Sequence, residues 1–298
     1  ARYLERDVST ISREISRNGS KGSYRAVKAD ISAKRNIQRR RKGRRKLFLN
    51  LELAEVIKAK LKLRWSPEQI AQWLKQEYAK RAMQASAETI YTYLYILPRG
   101  ELKKELLKCL RQRRKRRGVR RGGWQCRLEG MLSIEERPKE VADRSVPGHW
   151  EGDLLIGGGN KQTALGTLVE RTTRTTLLVP LKGNNAKEVR RRFASEMSKL
   201  PHQMRLSLTY DQGREMAEHK LFTKQTKVKV YFAHPHSPWE RGTNENTNGL
   251  IRQFFPKGTD FRNVTRREIK HVQDLLNGRP RKTLGWKTPY EAMQQLLR

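Results

Sequence analysis

The sequence predicts an all-α, strongly basic front half followed by an α/β domain, in which helices flank a mixed sheet of five strands. Two observations support this prediction. Apolar residues recur at helical spacing between residues 47 and 97, whereas three strand-like runs rich in Leu, Val and Thr begin at residue 150. The 298 residues also suffice for about two domains of roughly 150 residues each.

The charge of the chain indicates the kind of partner. Lys and Arg number 66 against 30 Asp and Glu, for a formal net charge of +36. Such an excess opposes compaction unless a polyanion neutralises it, so nucleic acid is the expected partner. The two cysteines form no Cys-x-x-Cys pair, which argues against a zinc finger. No apolar run reaches the roughly 18 residues of a membrane span, so we expect a cytoplasmic protein without a membrane partner.

The first 46 residues contain one well-marked helix and a basic arm. The segment DVSTISREISRNG starts at an N-cap residue, Asp7, and stops at Asn18-Gly19. Its short polar and arginine side chains would suit a DNA major groove, although a solvated surface helix explains them equally well. The charge run at 34–46 is predicted to be a linker or a phosphate-binding arm. The candidate DNA contacts are Ser9, Thr10, Arg13 and Arg17.

Residues 47–110 predict a second DNA-binding module. Ser66 and Gln69 form a capping-box pattern at the start of one helix, and Ser86 precedes a second helix at Ala87–Ile96. Two capped helices with a short connection are typical of a helix-turn-helix, and an ordinary pair of bundle helices is the alternative. The candidate DNA contacts are Thr89 and Thr92.

The rest of the chain is assigned from the change in periodicity. Predicted strands lie at 150–156, 162–170, 174–181, 205–210 and 228–232, and predicted helices at 184–200, 216–226, 239–255 and 265–277. This order of three strands, helix, strand, helix, strand, helix is that of the ribonuclease H-like fold. The predicted domains are 1–46, a partial helix-turn-helix plus basic arm; 47–110, a second helix-turn-helix domain; 111–140, a basic linker; and 141–298, the catalytic domain.

Three acids are candidates for chemistry in this second domain. Asp153 lies within the first strand, Asp211 directly follows the fourth, and Glu245 lies on a later helix. Neighbouring strands would bring the two aspartates together, and Glu245 could complete a metal-binding site with them. Phosphodiester transfer can use two divalent ions about 3.5–4 Å apart, and Mg²⁺ prefers carboxylate oxygen. The three acids therefore predict a site for two Mg²⁺ ions, with Mn²⁺ as a substitute, that cuts and joins DNA.

The acid pattern alone leaves alternatives open. With 30 acids in the chain, some triple of any chosen spacing is expected by chance. Glu151 also shares a strand face with Asp153, so the alternation of the strand does not exclude it. The context of Glu245 favours the assignment, because polar and cationic residues that could contact DNA phosphate lie near it. These candidate DNA contacts are Arg241, Asn248 and Arg252.

A set of motifs extends over nearly the whole chain: STISREISRNG, GSYRA, WSPEQIA, ETIYTYLY, PGHWEGDLLIG, LTYDQGREMAEHK, HSPWERGTNENTNGLIRQFFPKGTDF and NGRPRKTLGWKTPYEA. Together they resemble those of the insertion sequence 30 group of transposases, bacterial mobile-element enzymes of the DDE class. The last two motifs are highly specific, and the 33 residues between Asp211 and Glu245 agree with the acid spacing of that group.

The resemblance implies a ribonuclease H-like core of the retroviral-integrase type, a divalent metal, and a triad of Asp153, Asp211 and Glu245. It also implies helix-turn-helix readers of the terminal inverted repeats of the element. That group often has Asn where Gln212 stands and Asp where His234 stands. Its first helix-turn-helix begins upstream of Ala1, which predicts weakened end binding by this chain.

The sequence thus predicts a DNA transposase that binds terminal inverted repeats, cleaves strands with the help of metal, and transfers the 3′-hydroxyl to target DNA. Because two ends must be brought together, we expect a homodimer or larger assembly on DNA, associated with the bacterial nucleoid. The alternative is a catalytically inactive helix-turn-helix regulator derived from a transposase. A non-specific architectural basic protein is a third interpretation.

Overall fold

The computed structural model describes residues 2–44, 46–97, 100–110, 129–158, 163–235 and 237–296. The chain divides into two compact units, Ala1–Cys109 and Leu110–Arg298. In the described part of the chain, no helix combines the length and apolar character that crossing a bilayer requires.

The first unit is built from helices, as the sequence predicts. Its core consists of fully buried aliphatic side chains at helical spacing, among them Leu53, Ile57, Leu61, Ile70 and Leu74. Short 3₁₀ turns lie at Arg2–Leu4 and Arg81–Met83. The α-helices are α1 Val8–Arg17, α2 Ala26–Arg44, α3 Lys46–Leu49, α4 Leu51–Lys62, α5 Pro67–Glu77, α6 Ala87–Ile96 and α7 Glu101–Cys109.

Local chemistry fixes where α5 and α6 begin. The Ser66 hydroxyl accepts a hydrogen bond from the Gln69 N–H at 3.3 Å, and the Gln69 side chain accepts one from the Ser66 N–H at 2.8 Å. This reciprocal pair is the predicted capping box. At the start of α6, the Ser86 hydroxyl accepts a hydrogen bond from the Thr89 N–H at 3.1 Å. The two capped helices pack against each other.

The described residues of the charge run at 34–46 are helical. Residues 34–44 continue α2 and Lys46 begins α3, and a role as linker or phosphate-binding arm stays a prediction. The physical reason is that Lys, Arg and Gln are good helix formers, so high charge does not exclude a helix. Both α2 and α3 pack against α6, and Ala29 of α2 is buried. Helix α2 therefore packs with helices of the predicted 47–110 module, and the predicted domain bounds stay a prediction.

The second unit is organised around a mixed six-stranded sheet with the order β1-β6-β5-β2-β3-β4. The strands are β1 Leu132–Ser133, β2 His149–Ile156, β3 Ala164–Glu170, β4 Thr176–Leu181, β5 Ser207–Tyr210 and β6 Lys229–Phe232. An antiparallel meander, β2-β3-β4, joins a parallel half through the pairing of β2 with β5. The helices are α8 Glu140–Asp143, α9 Ala186–Met197, α10 His219–Thr226, α11 Gly242–Ile251, α12 Arg266–Asn277 and α13 Pro289–Leu296.

Apolar layers cover both faces of the sheet. On one face, Phe193 of α9 and Phe222 of α10 pack with Trp150 of β2. On the other face, Leu250 of α11 and Leu276 of α12 pack with side chains of β2, β3 and β4. Helices on both faces of a sheet that is antiparallel at one side and parallel at the other form the ribonuclease H-like architecture. The predicted fold class is confirmed.

Three differences in the second unit have local causes. The sixth strand, β1, lies in the predicted 111–140 linker and pairs with β6, Leu132 opposite Tyr231. A two-residue strand exists only through its partner and leaves no periodic signal in the sequence. The rest of the predicted linker, 111–128, lies outside the described residues. The predicted helix at 239–255 is a 3₁₀ turn, Pro238–Arg241, followed by α11, and the short α13 was not predicted.

The fold buries one histidine at the start of β2. His149 is 3 % exposed and its Nδ1 lies 2.8 Å from the Ser207 hydroxyl. Burial lowers the pKa of His149; Glu140 opposes this effect, and Arg171 and Arg137 add to it. The unfolded chain therefore binds more protons than the folded chain below pH about 6.5, so stability is lost as the pH falls.

We expect the free energy of unfolding to fall between pH 7 and pH 5, with His149 contributing at most about 1.4 kcal/mol per pH unit. His149→Asn keeps a polar group near Ser207 but does not titrate, so this part of the slope should disappear. Urea denaturation across this pH range measures the slope. The control is the same substitution at an exposed histidine, His202→Asn. Equal slopes for the wild type and His149→Asn would contradict the prediction.

Candidate active site

The sheet places two of the predicted acids side by side. In the parallel pairing of β2 with β5, Glu151 lies opposite Thr209. Asp153 and Asp211 each follow two residues later, so both reach the same edge of the sheet on neighbouring strands. Their side chains are 28 % and 41 % exposed, which leaves both carboxylates accessible from the surface.

Arg241 contacts both aspartates. Its Nη2 donates to Asp211 Oδ2 at 3.0 Å, its Nη1 lies 3.6 Å from Asp153 Oδ1, and Nη1 also donates to the Gly152 carbonyl at 3.0 Å. Burial opposes the charge of the guanidinium, but Asp211 and Asp153 outweigh that effect and raise the pKa of Arg241. The guanidinium therefore screens the repulsion between the two carboxylates.

The Asp153 carboxylate is oriented by helix α11 and by its own strand. Asn248 donates to Asp153 Oδ2 at 2.8 Å, and the Leu154 N–H donates to Oδ1 at 2.9 Å. Burial raises the pKa of Asp153; Arg241 lowers it and the neighbouring Asp211 raises it again. A carboxyl group with a perturbed pKa beside a second carboxyl group is typical of functional sites.

Acceptor atoms at this edge of the sheet lack hydrogen-bond partners. Among the described residues, none donates a hydrogen bond to the buried Oδ1 of Asp211 or to the buried Oδ1 of Asn248. A buried acceptor without a partner costs about 1–3 kcal/mol. Carboxylate and amide oxygens are ligands of hard divalent cations, so both the donor set and its unused acceptors fit such an ion.

Glu245 lies on the same side of α11 but does not join the pair. It is one turn after Arg241 and three residues before Asn248, and its side chain is exposed. Within the described ranges, no three His, Cys, Asp or Glu side chains lie close enough to hold a metal ion. The structure thus brings Asp153 and Asp211 together and leaves the Glu245 carboxylate outside their immediate surroundings. The assignment of all three acids as one triad stays a prediction.

Glu151, which the strand pattern did not separate from Asp153, has a different environment. Its side chain is fully buried, forms an ion pair with Arg171, and accepts a hydrogen bond from the Asn244 N–H at 2.8 Å. Asn244 lies in the first turn of α11, where N–H groups have no partner within the helix. Glu151 therefore caps α11 from the sheet and has no exposed oxygen to offer a ligand.

One further acid near the pair was not predicted. Burial raises the pKa of Glu215, and the negative charges of Asp211 and Asp153 raise it further. Glu215 lies in the 3₁₀ turn Arg214–Met216 that follows β5. Its place four residues after Asp211 is the only sequence signal for it, and in a chain with 30 acids that signal is weak.

The predicted DNA contacts on α11 and at its two ends contact other protein groups in this structure. Arg241 and Asn248 contact Asp153, as described above. Arg252 donates to the carbonyls of Ile156 and Pro256, each at 3.3 Å, so it ties the end of α11 to the end of β2. Their contacts with DNA phosphate stay predictions.

The predicted DNA contacts of the first unit occupy two helices. On α1, Ser9, Thr10, Arg13 and Arg17 are all exposed, and Arg13 donates to the Ser9 hydroxyl at 3.1 Å. No residue of α1 is buried. On α6, Thr89 and Thr92 are half-buried, and the Thr89 hydroxyl lies 2.9 Å from that of Ser86 within the helix cap.

Comparison with known proteins finds one matching domain family and several similar chains. Residues 143–238 match the integrase core domain family. The chain is 44% identical to the transposase for insertion sequence element IS1086 of Cupriavidus metallidurans, covering 100% of this chain and 88% of that one. It is 42% identical to the transposase InsI for insertion sequence element IS30A of Escherichia coli K12, covering 99% and 78%. A solved structure of the HTLV-2 integrase catalytic core domain in complex with magnesium is 19% identical, covers 50% of this chain and 97% of that chain, and gives a TM-score of 0.38.

The integrase-core match and the transposase relatives together support a polynucleotidyl transferase. The two transposases above match this chain over at least 99% of its length, at 42% identity or more. The chain therefore belongs to the insertion sequence 30 family of transposases.

Replacing Glu151 tests its structural role. In Glu151→Gln the buried Arg171 loses its anion, so we expect the free energy of unfolding to fall by about 3–5 kcal/mol. Chemical denaturation measures this change. Glu196→Gln is the matched control, because Glu196 pairs with Lys199 at the surface, where such a pair contributes roughly 0–1 kcal/mol. Equal losses in the two variants would contradict the assigned role.

Proposed function

We propose that this transposase nicks DNA at the ends of its mobile element and transfers the freed 3′-hydroxyl to target DNA. Asp153, Asp211 and Glu245 form the catalytic triad of the DDE class and bind two Mg²⁺ ions, for which Mn²⁺ can substitute. The observation that carries the proposal is the pair of aspartates at one edge of two parallel strands, with unpartnered acceptor oxygens beside them. When bound, the ions would activate the attacking oxygen and stabilise the leaving oxygen.

The residues around the pair supply orientation. Asn248 fixes one oxygen of Asp153, and Arg241 holds both aspartates against their mutual repulsion. Such supporting contacts tune metal ligands in other proteins. Glu245 has an exposed side chain on the same side of α11 as Arg241 and Asn248, and the proposal requires its carboxylate to move toward the pair when metal binds. Arg252 and the chain's net charge of +36 favour binding of a DNA strand across this surface.

The helices of the first unit are the proposed readers of the terminal inverted repeats. The exposed Ser9, Thr10, Arg13 and Arg17 on α1 have the side-chain types that contact base edges and phosphates. The capped pair α5 and α6, with Thr89 and Thr92, forms the proposed helix-turn-helix. Because transposition joins two element ends, we infer a homodimer or larger assembly on DNA, at the bacterial nucleoid.

A nicking assay on a labelled repeat-end duplex tests the catalytic proposal. With Mg²⁺, Asp211→Asn and Glu245→Gln should each lower the nicking rate by about a hundredfold or more, because ligand loss misplaces the reacting groups. Binding of the duplex should be unchanged. Glu196→Gln, a carboxylate on the surface of the same unit, should nick at the wild-type rate. Full activity of Asp211→Asn would refute the triad.

A second candidate function, a DNA-binding regulator without catalysis, is favoured by one observation. In the described part of the chain the third acid does not join the pair, and Arg241 contacts both aspartates. The same assay distinguishes the two functions. A regulator would bind the repeat duplex but show no nicking by the wild-type chain in either Mg²⁺ or Mn²⁺.

If α1 reads bases, replacing one of its arginines should reduce the discrimination between repeat duplex and random duplex. If Arg13 contacts a base edge, Arg13→Gln should weaken binding to the repeat duplex by about 1–3 kcal/mol and leave binding to random duplex nearly unchanged. Fluorescence anisotropy on both duplexes at one salt concentration measures the difference. Lys21→Gln removes an exposed charge beyond the end of α1 and serves as the control. Equal weakening on both duplexes would show that Arg13 contacts phosphate alone.

A further inference from the structure

A second feature of the catalytic unit is a cavity of about 310 Å³ between the β3–β4 turn and the start of α11. Three arginines line it: Arg144, Arg174 and Arg281. None of the described lining residues is acidic or aromatic. The other lining residues are Gly242, Thr243, Asn246, Thr247 and Thr283.

Two of these arginines lie in left-handed backbone, Arg144 at φ 57° and Arg174 at φ 61°. Residues other than glycine adopt this conformation rarely, so the surrounding structure must hold them in it. Arg174 Nη1 donates to the Thr243 hydroxyl at 2.6 Å, which leaves its other donors for a ligand. The Arg144 side chain is exposed and makes no hydrogen bond or ion pair with another described residue.

The two acids whose charges act on Arg174 are already engaged. Glu151 is paired with Arg171 and caps α11. Glu170 accepts hydrogen bonds from the N–H and hydroxyl of Thr173 and from the Gly148 N–H. Burial lowers the pKa of Arg174, and Arg144 and Arg171 add to that shift while the two glutamates oppose it. The cavity therefore carries excess positive charge that an anion would neutralise.

The cavity and the acid pair lie on different sides of the same helix. Thr247 lines the cavity, and the next residue, Asn248, contacts Asp153. Adjacent residues of one helix thus serve the two sites, so a DNA strand bound at the acid pair would carry further phosphates past the same helix.

We propose that this cavity binds a backbone phosphate of the DNA strand that is cut at the acid pair, an inference that rests on the proposed function. Arginine guanidinium groups match the geometry of phosphate oxygens and can donate two parallel hydrogen bonds. The absence of an aromatic ring from the described lining argues against a stacked base as the ligand.

The test measures binding to repeat-end duplexes that each carry one uncharged methylphosphonate linkage near the cleavage site. The wild-type chain should lose about tenfold in affinity at one or two linkages, as expected for a lost charged hydrogen bond. Arg144→Gln should bind the unmodified duplex about tenfold more weakly and lose nothing further at those linkages. Lys227→Gln removes an exposed charge that also lies in left-handed backbone, but outside the cavity, and should keep the wild-type pattern.

Three outcomes would overturn the inference. If the losses of affinity from Arg144→Gln and from the modified linkage were additive, Arg144 would not contact that phosphate. If Lys227→Gln also lost no further affinity at the modified linkages, the effect would come from the overall positive charge of the chain and not from the cavity. A melting temperature that rises with millimolar inorganic phosphate in wild type but not in Arg144→Gln, with no coupling on DNA, would assign the cavity to free phosphate. Because binding does not require nicking, coupling without nicking would refute the proposed chemistry and leave the cavity assignment standing.

Discussion

A fully buried carboxylate, that of Glu151, joins the three elements that form the site. From β2 it pairs with Arg171 in the β3–β4 turn and accepts the Asn244 N–H in the first turn of α11. An ion pair in the interior is expensive to desolvate, so it is stable only when its geometry is complete. The same constraint places α11 against β2 in one register, which is why Asn248 reaches Asp153 four residues further along the helix.

This register also determines the electrostatics of the acid pair. Two carboxylates on neighbouring strands repel each other, and burial of Asp153 adds to the cost of its charge. Arg241, at the start of α11, reduces that cost by contacting both. The site is therefore arranged so that positive charge between the two aspartates is favourable, whether a guanidinium or a divalent cation supplies it.

The sequence predicted the sheet well because each long strand has a periodic signal, and it predicted the meeting of Asp153 and Asp211 because β2 and β5 are neighbours. It did not distinguish Glu151 from Asp153, since alternation assigns a face but not a depth. That difference arises from α11, which covers position 151 and leaves position 153 at the edge. The two-residue β1 was missed because it depends on pairing with β6 and has no periodicity of its own.

The two charged sites around α11 depend on each other. The helix carries Asn248 toward the aspartates and Thr243 and Thr247 toward the arginine-lined cavity. Its dipole runs from a positive end beside Arg174 and Arg241 toward Arg252, which contacts carbonyls at the other end. Glu151 closes the first turn with a negative charge, so the arginines around it do not repel the helix. Glu151 thus fixes the position of α11 between the arginine-lined cavity and the two aspartates. A strand of DNA bound along α11 would therefore meet these cationic and anionic groups in a fixed order.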